Sequence, residues 1–217
     1  MAAEPLTHAL VARIAYEYSK SGPDRLYAMG KACWRIAEYK IPGDIVECGV
    51  WRGGNIILAR KLCPDRTCWL FDTFTGMTEP EDVDRKRSGR MAKEHRKPPG
   101  EWSAVSLEDV RCYMQETGTL DDKYLRFVEG RVEDTLLDPS NLPDKIAILR
   151  LDTDWHASTK VELEVLYPRL VNGGYLIVDD YGHWMGARKA VDDYFSSSLP
   201  DWHYIDYSCV MMRKPGG

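Results

Sequence analysis

The stretch that most constrains the fold is Asp44-Ile-Val-Glu-Cys-Gly-Val-Trp-Arg-Gly-Gly-Asn55. A short apolar strand reaches an acid, Glu47, and then runs into Gly49, Gly53 and Gly54. An amphipathic helix follows, from Asn55 to about Leu62. Strand, glycine-rich turn and helix make the first βα unit of a nucleotide- or nucleoside-binding sheet. The spacing is neither GxGxxG nor a phosphate loop ending in Gly-Lys-Ser/Thr, so no specific cofactor is spelled out. Glycine lets backbone approach a ligand because no Cβ intervenes. A turn that serves packing alone has the same pattern.

The rest of the chain repeats the alternation. Helical spacing marks 4–20 and 23–39, separated by Gly22-Pro23, as an N-terminal helical layer over 1–40. Tyr27 and Trp34 of the second helix are candidates to wall a cleft, although a purely structural layer explains them better. Thr67-Cys-Trp-Leu-Phe-Asp72 reads as a second strand ending in an acid. Further strands are expected at Tyr124–Gly130, Lys145–Asp152 and Gly174–Asp179, with helices at Leu107–Thr117 (N-cap Ser106), Ser158–Leu170 and Trp184–Phe195. The end, 202–207 and 209–213, reads as two strands around a turn. This order predicts an α/β domain: a mostly parallel seven-stranded sheet, helices on both faces and an antiparallel C-terminal hairpin. Ligands in such sheets bind beyond the carboxyl ends of the strands, and Asp72 lies at the distance from the glycine turn usual for a ribose partner.

Residues 75–103 break the rhythm. Acids at 79, 81, 82 and 84 precede Arg85, Lys86, Arg87, Arg90, Lys93, Arg96 and Lys97. A loop of this length is a candidate lid over a ligand, or a solvated charged surface. The net charge of −5 over 217 residues argues against a nucleic-acid partner. No apolar run reaches membrane length and the N-terminus lacks the pattern of a secretory leader. The six cysteines match no zinc or disulfide spacing, so they are expected as reduced thiols in a cytoplasmic, single-domain protein spanning 1–217.

Asp152-Thr-Asp154 and Asp179-Asp180 close the fourth and fifth strands. If those strands are neighbours, three or four carboxylates converge, and like charges in one site raise a carboxylate pKa. A hard divalent cation such as Mg²⁺ resolves that conflict. Helix capping is the competing explanation, and Asp154, just before the Ser158 helix, suits it.

Four motifs in order, Ile45-Val-Glu-Cys-Gly-Val-Trp-Arg-Gly-Gly54, Phe71-Asp-Thr-Phe-Thr-Gly-Met77, Leu151-Asp-Thr-Asp-Trp155 and Val178-Asp-Asp-Tyr-Gly182, resemble the macrocin O-methyltransferase (TylF) family. The resemblance covers roughly 24–196. It implies a class I, Rossmann-like methyltransferase fold, S-adenosylmethionine (SAM) and Mg²⁺ as cofactors, and a hydroxyl of a sugar or glycosylated natural product as acceptor. By resemblance, Glu47, Gly49, Gly53 and Asn55 hold the methionine end of SAM. Asp72 and Thr73 meet the ribose, and Gly130 and Glu133 lie near the adenine. Asp152 touches both cofactor and metal, and Asp152, Asp179 and Asp180 match the metal ligands. Asp152 is the expected base, with His183 second. A catechol O-methyltransferase needs the same cofactors and differs in having a flat acceptor. A nicotinamide reductase leaves the acids of strands four and five unexplained, and a non-catalytic nucleoside-binding protein has no use for them. Exposed aromatics on the paired N-terminal helices make a homodimer possible.

Overall fold

The computed structural model describes residue 13, residues 15–94, residue 98, residues 100–198 and residues 200–216. Most of the helix expected over 4–20 lies outside the described residues. The first complete helix is α1, Pro23–Glu38, opened by proline behind Gly22. It is followed by β1 (Asp44–Cys48), α2 (Gly54–Leu62) and β2 (Cys68–Asp72). Then come α3 (Leu107–Glu116), β3 (Leu125–Glu129), a single turn α4 (Val132–Thr135) and β4 (Ile146–Leu151). The chain ends with α5 (His156–Leu166), β5 (Leu170–Val178), α6 (Met185–Tyr194), β6 (His203–Tyr204) and β7 (Val210–Arg213).

The strand order is β3-β2-β1-β4-β5-β7-β6. β1 to β5 pair in parallel, and β7 runs antiparallel to both β5 and β6. This is the expected mixed sheet with its C-terminal hairpin. Both faces are buried, as parallel sheets require. Ile45, Cys68, Leu70, Ile148 and Ile177 face α1, α2 and α3. Val46, Cys48, Phe71, Leu149, Leu176 and Val178 alternate to the opposite face, under α5 and α6.

Three boundaries depart from the sequence reading. The fifth helix stops at Leu166, because Pro168 turns the next residues into a 3₁₀ turn, and β5 starts at Leu170 rather than Gly174. The strand expected from Trp202 is only two exposed residues long. Ser106 does cap α3, in a reciprocal box: its hydroxyl accepts from Asp109 N–H (3.1 Å) and Asp109 accepts from Ser106 N–H (3.4 Å). All six cysteines are free, five of them buried and Cys112 exposed. No helix among the described residues is long and apolar enough to cross a membrane.

The glycine turn is fixed by contact across the sheet. Gly49 has φ +84°, and a Cβ there would run into the Asp152 carbonyl, whose own N–H donates to Cys48 O at 2.8 Å. Gly118 also has positive φ but open space around it. Gly49→Ala is therefore expected to cost well over 1 kcal/mol, visible in a urea melt, and Gly118→Ala about 1 kcal/mol from backbone strain alone. Equal losses would contradict the close approach.

Candidate active site

β1 is flanked by β2 on one side and β4 on the other, so the chain reverses its direction of winding there, and the crevice beyond those strand ends is the expected ligand position. A cavity of about 520 Å³ opens at that place. Of the residues predicted to bind cofactor, Gly49, Asn55, Asp72, Thr73, Gly130, Glu133 and Asp152 line it. Glu47 and Gly53 do not. Gly53 is the left-handed N-cap of α2 (φ 85°), and Glu47 is buried beneath the cavity floor at 1% exposure. Tyr27 and Trp34 are not among the lining residues, whereas Gly22 and Arg25 from the start of α1 are.

The floor is organised by a residue the sequence reading passed over, Arg150. It is the register partner of Glu47 on the neighbouring strand and is 1% exposed. Its Nη1 donates to Glu47 (2.8 Å) and Asp152 (2.7 Å), and its Nη2 to Ser21 Oγ (3.0 Å) and Asp179 (2.5 Å). Arg25 takes the other oxygen of Asp179 and also donates to Asp206 at 2.6 Å. Glu47 in turn accepts from Asn55 at 3.0 Å, and burial pushes it up to about 7 in spite of Arg150 and Asn55. One signal was available: a lone arginine in the otherwise apolar run 146–151 needs a buried anion.

β4 and β5 pair in register, Leu151 opposite Val178, so the acids beyond them meet. Ligand oxygens of Asp152, Asp154 and Asp180 lie within 4.8 Å of one another. Asp179, engaged by two guanidiniums, is not in that group, and Asp154 is. Nor is Asp154 a helix cap: α5 has Trp155 at its N-cap with no side-chain bond. The amide of His156 donates instead to Asp84, at 2.9 Å. Asp154 holds φ 68°, a left-handed conformation that bends its carboxylate back over the strand ends. Burial pushes Asp154 up to about 7 and Asp152 and Asp180 well above the usual carboxylate range, each with neighbouring acids adding to the effect. Asp180 Oδ2 is buried without a partner. With Glu47, Asp179 and Asp206, six carboxyl groups share the two guanidiniums Arg25 and Arg150, so the acids outnumber the cations of the floor.

Asp72 is tied down by backbone: Oδ2 accepts from Val50 (2.6 Å) and Trp51 (3.1 Å), and Oδ1 from Phe74 (2.8 Å). His183 also lines the cavity, half-buried, its Nδ1 hydrogen-bonded to the Tyr207 hydroxyl at 2.9 Å. Burial, then Lys86 and Arg25, hold its pKa below the usual 6.5.

The segment 75–103 is neither detached nor merely solvated in its described part. Trp102 from this segment packs on Trp155 (5.5 Å) and Trp184 (5.9 Å), and Trp155 Nε1 donates to Thr78 O at 3.1 Å. Buried Asp84 accepts from Glu81 N–H and His156 N–H, capping α5 from outside.

On the far side of β1, Glu162 of α5 is fully buried, accepts from Thr153 at 2.9 Å, and is pushed by burial from 4.5 up to about 8. The folded chain keeps that proton where the unfolded chain has lost it. Stability is therefore expected to fall as pH rises from about 4.5 to about 8 and then to level off. Glu162→Gln should flatten this part of a melting-temperature profile; a profile parallel to wild type would contradict the assignment.

Comparison with known proteins gives a consistent result. Residues 12–214 match the family model for macrocin-O-methyltransferase (TylF). The demethyldecarbamoylnovobiocin O-methyltransferase of Streptomyces niveus is 40% identical over 185 residues, which is 83% of this chain and 68% of that protein. The solved structure of the O-methyltransferase NovP superposes with a TM-score of 0.80 at 35% identity, covering 92% of this chain and 83% of that one. The MycE methyltransferase of mycinamycin biosynthesis, solved with Mg, SAH and mycinamycin VI, shares the fold at 13% identity (TM-score 0.56, 94% of this chain and 54% of that one).

Proposed function

From the premise that this chain belongs to the macrocin-O-methyltransferase family and is an O-methyltransferase, we propose that it methylates a sugar hydroxyl of a glycoside, using SAM and Mg²⁺. The observation that carries the metal is the trio Asp152, Asp154 and Asp180, with its buried, unpartnered Asp180 oxygen. Three oxygen donors under mutual repulsion suit a hard cation, and Asp152, Asp154 and Asp180 would hold it. Bound there, Mg²⁺ supplies positive charge that lowers the pKa both of nearby carboxylates and of a sugar hydroxyl.

The chain's own groups supply the rest. Gly49 and Asn55 would seat the methionine end of SAM, Asp72 and Thr73 the ribose, and Gly130 and Glu133 the adenine. Asp72 reaches the cavity while its oxygens also hold the amides of Val50 and Trp51, so the glycine turn and the ribose site are set by one side chain. Asp152 accepts the hydroxyl proton on one oxygen while Arg150 fixes the other. His183 is the alternative base: its pKa below 6.5 leaves it neutral at pH 7, and its Nε2 is not the nitrogen bonded to Tyr207. Holding methyl donor and acceptor in line supplies roughly 7–11 kcal/mol of the barrier lowering.

Asp180→Asn is expected to weaken Mn²⁺ binding, read by electron paramagnetic resonance, and to slow methyl transfer about 10²–10³-fold. Asp179→Asn should instead lower stability by roughly 3–5 kcal/mol, because it breaks a buried ion pair. SAM at a hundred times its dissociation constant should add about 2.7 kcal/mol of stability, and NAD⁺ none. Stabilisation by NAD⁺ alone would overturn the cofactor assignment.

A further inference from the structure

The basic run of the loop has no role in the reaction above. Arg85, Lys86, Arg87 and Arg90 put four cations into six positions of a chain with net charge −5. Backbone bonds fix this hairpin to the cavity wall. Arg87 N–H donates to His183 O (2.9 Å), Met185 N–H to Arg85 O (2.8 Å) and Lys86 N–H to Arg90 O (2.8 Å), with an antiparallel bridge between Lys86 and Trp184. Alternation then sends Arg85 and Arg87 to solvent and Lys86 to the other side, where it lines the cavity.

There the Lys86 ammonium sits 5.4 Å from the centre of the Trp184 ring. Among the described residues no carboxylate pairs with it, although Arg90 pairs with Glu94 and Lys93 with Asp82. Of the acids lining the cavity, Asp152 and Asp179 are turned towards Arg25 and Arg150, and Asp154 and Asp180 towards Asp152 rather than Lys86. Beside Lys86 stand His183 and the Tyr207 hydroxyl, bonded to each other, so that the neutral pair keeps one further donor for a ligand. An ammonium and the one free donor of the imidazole–phenol pair form a site for an oxyanion, and a half-buried ammonium over an aromatic face gains most from a charged partner.

We propose that the acceptor is an anionic glycoside, carrying a phosphate or carboxylate on the sugar or one linkage from it, and that Lys86 reads this oxyanion. The proposal rests on the sugar-hydroxyl reading above. Arg85 and Arg87, exposed on the same hairpin, raise the potential at the cavity mouth and draw such a ligand in.

The test is equilibrium binding by calorimetry to the protein with S-adenosylhomocysteine and Mg²⁺. Two matched pairs separate the sources of charge: rhamnose 1-phosphate against methyl rhamnoside, and methyl glucuronoside against methyl glucoside. At least one anionic sugar is expected to bind about tenfold more tightly than its neutral partner, with the difference shrinking at high salt. Lys86→Gln should erase that difference and Lys86→Arg should retain it. No preference for either anion, no binding of either up to about 10 mM, or a preference that survives Lys86→Gln overturns the proposal. Methyl transfer is assayed on the same four sugars. An anion preference lost in Lys86→Gln without transfer to any of them would sink the sugar-hydroxyl reading and leave the oxyanion site standing.

Discussion

A guanidinium buried under a sheet of apolar strands holds this site together. Arg150 takes four acceptors from four parts of the chain: β1, the segment before α1, and the ends of β4 and β5. In an environment of low dielectric each contact is strong, and each would be costly to leave unmade. The segment before α1, the glycine turn and the two acid-bearing strand ends therefore cannot move independently. Arg25 extends the network to the turn between β6 and β7 through Asp179 and Asp206.

The same strand ends carry unusual backbone. Trp51 after β1, Phe74 after β2 and Asp154 after β4 all have positive φ without being glycine. Each stands where a strand must turn sharply at the cavity. Such conformations persist only where surrounding contacts over-determine them. Here Asp72 supplies some of those contacts, accepting from the amides of both Trp51 and Phe74.

Much of this was legible in the sequence because it follows from periodicity. Apolar runs ending in Asp72, Asp152 and Asp179, separated by helical spacing, dictate a parallel sheet with acids at one edge. Direction was harder to read than position. Asp154 and Asp179 both lie at strand ends, yet which of them turns to Asp152 and Asp180 depends on two arginines distant in sequence, Arg25 and Arg150. Glu47 looked like a ligand-facing acid and is a floor residue, because its register partner is a cation. The role of Asp84 was hidden for a similar reason: it caps a helix that begins 72 residues later, and no local pattern encodes that.

Asp84 and Ala92 are joined by a backbone bond of 2.9 Å, so the segment between them is a closed hairpin whose two ends meet at nearly one point. Its stem is anchored on α5 and its side on the entry to α6. Length and charge at its tip can change without disturbing a strand or the acids beyond it. The hairpin is thus an interchangeable part. If Lys86 reads the charge of the acceptor, exchanging 85–91 between related enzymes would carry that preference onto an unaltered methyl-transfer core, a route by which selectivity can diverge while chemistry stays fixed.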